Sequence, residues 1–110
     1  MKISKKENYT LITATENSFT SFFNVFISDK LDHVTTHKVV QLSENLNTKI
    51  ENLFLFLDVA NNHRANGISF VVIVKGIDID DVPEEINIVP TITEAKDLLE
   101  MEAIERDLGF

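Results

Sequence analysis

From Phe70 to Val74 the chain runs Phe-Val-Val-Ile-Val without a polar interruption. A strand with one face in water alternates apolar and polar residues, and this run does not. It is too short for a helix, and β-branched residues dominate it. It therefore reads as a strand covered on both faces, from about Ser69 to Val74, which is the habit of parallel sheets in α/β proteins.

The neighbouring segments supply the layers such a strand needs. Lys2–Lys6 and Tyr9–Thr15 read as two strands joined by the polar turn Lys6-Glu7-Asn8, and this pair is expected to run antiparallel. Phe19, Phe22, Phe23, Phe26 and Ile27 recur at helical spacing, with Asn17 or Ser18 placed to cap the helix. Lys38–Leu42 is a short apolar strand and Ser43–Asn47 a polar loop. Thr48-Lys49-Ile50-Glu51 has capping-box spacing and opens a helix to about Asn66, with Gly67 beyond its end. A helical turn near Asp78–Val82, a brief strand Asn87–Val89 and a second capping box, Thr91 with Glu94, complete the chain. The last helix runs to about Leu108, and Phe110 is expected to fold back on Ile104 past Gly109.

The order is β-β-α-β-α-β-α-β-α, which predicts one α/β domain over 1–110 with a mixed β-sheet packed with helices. Its length suffices for a single core, and there is no repeat or linker. Without cysteine, disulfides and thiolate metal sites are excluded. No apolar run approaches the roughly 20 residues needed to span a bilayer, and no signal peptide opens the chain. A cytoplasmic location without membrane contact is expected.

Charge is unevenly placed. Residues 1–77 sum to +1, whereas residues 78–110 carry eleven acidic residues against Lys96 and Arg106. That acidic third repels phosphate backbones and argues against nucleic acid as a direct partner. It serves either as a solubilising face or as a recognition surface for a basic partner.

The element order resembles the STAS domain, the anti-sigma-factor-antagonist fold. The clearest stretch is Val39-Val40-Gln41-Leu42-Ser43 with the following loop and the helix from Lys49, together with the final helix announced by Pro90-Thr91-Ile92-Thr93-Glu94-Ala95. The resemblance implies a regulatory protein-binding module whose β-α loop and helix start meet the partner, here Asn47, Thr48 and Lys49. Many STAS domains carry a phosphorylated serine at that helix start. This chain has Lys49, Ile50, Glu51 and Asn52 there, so the usual switch is not expected. Thr48, the nearest hydroxyl, is the candidate phospho-acceptor, although capping already accounts for it. The ending from Met101 to Phe110 is also similar to short Bacteroidetes chains labelled ribonuclease Z. The clustered histidines of that enzyme's metal centre are missing, which leaves association with such a ribonuclease rather than its activity.

Nothing in the sequence points to catalysis. His33 and His37 are four apart, but Val34-Thr35-Thr36 favours a strand or loop, where residues four apart lie about 13 Å from each other. Both therefore read as surface histidines, and His63 sits near a helix end where a cation suits the dipole. Asp78-Ile79-Asp80-Asp81 lacks the glycine and ligand spacing of a calcium loop. The glycines are too dispersed to cradle a phosphate. No cofactor and no metal are expected.

The amphipathic pattern points instead to an interface. On the helix from Thr48, Ile50, Leu53, Phe54, Leu57 and Ala60 share the face expected on the sheet. Leu55 and Val59 point away from it with Phe56 at the flank. On the last helix Ile92, Ala95 and Leu99 pack inward, while Leu98, Met101, Ile104 and Leu108 form a second stripe. Either neighbouring elements cover these residues or they bind another chain, a second copy included. The leading expectation is a regulatory module that binds another protein. The alternatives are a nucleotide or lipid sensor using the helix starts at Thr48 and Thr91, or an accessory partner of a tRNA-processing ribonuclease Z.

Overall fold

The computed structural model describes residues 1–29 and 36–109. Five strands form one sheet in the order β1 (Lys2–Lys5), β2 (Thr10–Thr13), β3 (Lys38–Gln41), β4 (Phe70–Ile73) and β5 (Asn87–Val89). β1 pairs antiparallel with β2, and the four strands from β2 to β5 are parallel. All four residues of β4 are buried, as its unbroken apolar run requires. The register sets Val39 opposite Val71 and Val72 opposite Ile88.

Because strand side chains alternate, each strand feeds two cores. On one face Ile12, Val40, Phe70 and Val72 meet α1 (Phe19–Ser28) and the helical segments after β3. Ser18 caps α1, its Oγ accepting the Ser21 amide hydrogen at 3.2 Å. Phe19, Phe22 and Phe26 are buried, whereas Ile27, expected on the same stripe, turns out into solvent at the helix end. On the other face Val39, Val71 and Ile73 are covered by one helix, α4 (Ile92–Asp107), through Ile92, Ala95, Leu98 and Leu99. The described residues thus form three layers, with two helical units on one side of the sheet and, among them, α4 alone on the other.

The helical stretch after β3 departs from the expected geometry. It comprises α2 (Ile50–Leu53), a 3₁₀ turn (Phe54–Phe56) and α3 (Leu57–Ala65), with right-handed backbone kept through both junctions. A 3₁₀ turn advances about 120° per residue, so side chains three apart eclipse. Leu53 and Phe56 accordingly stack inward in line, and Phe54 and Leu55 are turned outward. Phe54 is thus exposed where burial was expected.

Phe56 becomes the hub of an aromatic cluster. Its ring centroid lies 5.7 Å from Phe19, 5.4 Å from Phe23, 5.7 Å from Phe26 and 5.8 Å from Phe70. The contacts to the three α1 rings are edge-on, the favoured arrangement for aromatic quadrupoles. The expected third helix is a single 3₁₀ turn, Ile79–Asp81, begun by Asp78, whose carboxylate accepts the Asp80 amide hydrogen at 3.0 Å.

Candidate functional site

α4 is held by its ends and by its inner face. Thr91 takes an extended backbone, and its Oγ1 accepts the Glu94 amide hydrogen at 3.2 Å, the cap expected from the sequence. The Glu94 carboxylate accepts the Thr91 hydroxyl proton at 3.2 Å instead of reaching the Thr91 amide. After the helix, Gly109 takes a left-handed backbone with φ 83°. Phe110, expected to fold back on Ile104, lies outside the described residues.

Toward the sheet, Glu102 accepts hydrogen bonds from the Ser69 hydroxyl and, at 3.2 Å, from the Asn87 side-chain amide. Arg106 donates to the Ser69 oxygen at 3.2 Å. His37 joins this network, its Nδ1 accepting the Ser69 amide hydrogen at 2.9 Å, which leaves the ring proton on Nε2. Burial, then the neighbouring Arg106 and Lys38 charges, hold its pKa below the ordinary histidine value, with Glu102 opposing. His37 is half-buried rather than a surface histidine. His33 lies outside the described residues.

The outward face of α4 has a different character. At roughly 100° per residue, positions 101, 104 and 108 fall within one narrow stripe. Met101 is 54% exposed, Ile104 59% and Leu108 66%. Leu98, expected in this stripe, is half-buried against the sheet. Exposed carboxylates frame the three apolar residues, with Glu94, Asp97 and Glu105 on the same side and Glu100 and Asp107 along one flank. The helix's two cations, Lys96 and Arg106, point elsewhere, toward the β1–β2 turn.

The helical segments after β3 contribute less than the sequence suggests. Leu55 is 51% exposed, and Phe54 beside it is also exposed. Phe56, assigned to the partner surface from the sequence, is fully buried at 0% and offers none. Val59 is half-buried against the aromatic core. The layered fold puts this small patch and the α4 stripe on opposite sides of the sheet, so they do not form one surface.

The loop residues line a crevice of about 540 Å³ at the carboxyl ends of β3, β4 and β5. It opens there because the chain leaves β3 toward one face and β5 toward the other, the condition that makes such crevices in α/β sheets. Asn47 is exposed in a left-handed backbone with φ 50°. The helix begins one residue later than expected, with exposed Lys49 at the cap and the Asn52 side chain accepting the Lys49 amide hydrogen at 2.9 Å. Thr48 therefore caps nothing. Its Oγ1 is buried without a hydrogen-bond partner, so it presents no accessible hydroxyl to a kinase in this conformation.

A second polar cluster was invisible in the sequence. His63 is buried, and its Nδ1 lies 2.8 Å from the Val59 carbonyl, which can only accept. That fixes the proton on Nδ1 and leaves Nε2 facing the Lys38 ammonium at 3.4 Å. Lys38, also buried, donates to the Thr36 carbonyl at 3.0 Å and hydroxyl at 3.2 Å. Among the described residues no group of three or more His, Asp or Glu side chains is placed to hold a metal ion, and no helix is long and apolar enough to cross a membrane. No protein-family model matches the chain, and no curated protein matches it significantly.

Proposed function

We propose that the protein is a non-catalytic binding module of STAS type whose docking surface is the outward face of α4, and that its partner is a basic amphipathic segment of another protein. The observation that carries this reading is the stripe of Met101, Ile104 and Leu108, each more than half exposed on a helix whose inner face is already anchored. Large apolar side chains grouped on an otherwise charged surface are characteristic of contact surfaces.

The chemistry of the partner follows from the frame. Three carboxylates, Glu94, Asp97 and Glu105, and no cation share that face, with Glu100 and Asp107 on its flank, so apolar anchors flanked by Lys or Arg complement it. A second copy of the same face would set carboxylates against carboxylates, which argues against self-pairing through α4. The order of strands and helices supports the STAS assignment. Of Asn47, Thr48 and Lys49, at the loop where STAS partners are expected, Asn47 and Thr48 line the carboxyl-edge crevice and Lys49 begins the next helix.

Replacement of Ile104 by the photo-crosslinking residue p-benzoylphenylalanine tests the reading in cells, with exposed Asn61 on α3 as the control position. Adducts are expected at Ile104 and not at Asn61, and the attached partner peptide carries Lys or Arg beside apolar residues. Absence of an adduct, equal labelling at both positions, or cross-linking to a second copy or to an acidic peptide overturns the proposal.

A further inference from the structure

A cavity of about 620 Å³ opens between the β1–β2 turn and the side of α4 away from its acidic stripe. Lys96, Leu99, Ala103 and Arg106 recur at helical spacing along one wall. Lys6 and Tyr9 come from the turn and from the residue before β2, and His37 from the residue before β3. The only two cations of residues 78–110 thus converge with a third from the far end of the sequence.

Among the described residues, none of Lys6, Lys96 and Arg106 is within ion-pairing distance of a carboxylate. Glu7 and Glu100 also line the cavity, so its formal charge is +1 in a molecule of net −8. Arg106 spends one donor on Ser69, which orients the guanidinium and leaves its other N–H groups for a ligand. Tyr9 and Leu99, packed on the second core, supply an apolar wall. The volume lies within the range of small-molecule sites, about 300–1,000 Å³.

We infer that this cavity binds a small organic anion, with a phosphate or carboxylate head held by Lys6, Lys96 and Arg106 and an apolar body laid against Tyr9 and Leu99. The site is independent of the protein-docking face, which lies on the opposite side of the same helix.

Amide NMR titration with phenyl phosphate and with benzoate, and with phenol as the uncharged control, tests the inference. Either anion is expected to give saturable shifts at Tyr9, His37 and Leu99, and the tighter of the two names the head group. Phenol is expected to give none. Lys96→Glu, at an exposed helix position, is expected to weaken binding about tenfold or more with the amide spectrum otherwise retained. Lys75→Glu in the carboxyl-edge crevice is expected to leave it unchanged. Absence of saturable shifts with both anions, shifts indifferent to Lys96→Glu, or shifts that follow Lys75 overturns it.

Discussion

The 3₁₀ turn at Phe54–Phe56 decides which of two adjacent apolar side chains holds the domain together, and a pair of alanine substitutions reads that decision directly. Phe56 is fully buried and packs against four other aromatic rings. Truncation to alanine removes the buried ring and leaves a cavity that rigid neighbours on α1 and β4 fill poorly, at a cost of about 3–5 kcal/mol. Leu55 is half-exposed, so Leu55→Ala forfeits only part of a leucine's burial energy, about 1 kcal/mol or less. With urea m-values of about 1–3 kcal/mol/M, the two midpoints differ by roughly 1–3 M. Total stabilities of about 5–15 kcal/mol mean that Phe56→Ala is sometimes too damaged to measure. Phe56→Leu then serves, since it keeps most of the volume and still ranks below Leu55→Ala. Equal losses at the two positions, or a larger loss at Leu55, would refute the assigned helix phase.

Two further outcomes rest on individual side chains. Thr91→Ala removes a formed cap and costs about 1 kcal/mol, whereas Thr48→Val replaces an unpartnered buried hydroxyl with a methyl and raises stability by about 1 kcal/mol; urea midpoints of the two variants check the opposite signs. The lowered pKa of folded His37 means that the unfolded chain takes up a proton first as pH falls. Its contribution to stability is therefore complete above the ordinary histidine value of about 6.5 and is lost progressively below it. Thermal melts across that range are expected to show a steeper decline for the wild type than for His37→Gln, and parallel declines would contradict the assignment.

The architecture was legible because its signals are local. The unbroken apolar run of β4, the phenylalanine spacing of α1 and the Thr91 cap each specify an element from within a few residues. Helix phase was not legible at Phe54-Leu55-Phe56-Leu57, where four consecutive apolar residues satisfy several rotations equally and the surrounding aromatic cluster selects one. Thr48 and Lys49 show the same limit at a boundary. The threonine has the better capping chemistry, yet the chain turns one residue later and Asn52 closes it. The Ser69 network joins residues 32, 33 and 37 positions away, so no spacing rule announces it. The α4 stripe was legible apart from Leu98, because its period can be read whatever covers the helix.

The unequal clothing of the sheet has a consequence for turnover. The aromatic side is thick, whereas of the sixteen residues of α4 only Ala95 is fully buried. Detachment of that helix exposes far less apolar surface than global unfolding does, so it opens at a lower free energy than the whole domain. A ligand that engages only the docked helix stabilises the closed form by RT ln(1 + [L]/Kd). Amide exchange along α4 would then slow on engagement while β4 stays unchanged. If the proposed partner engages α4, proteolysis in the cell would fall most heavily on unbound copies, and the amount of this protein would track the amount of that partner.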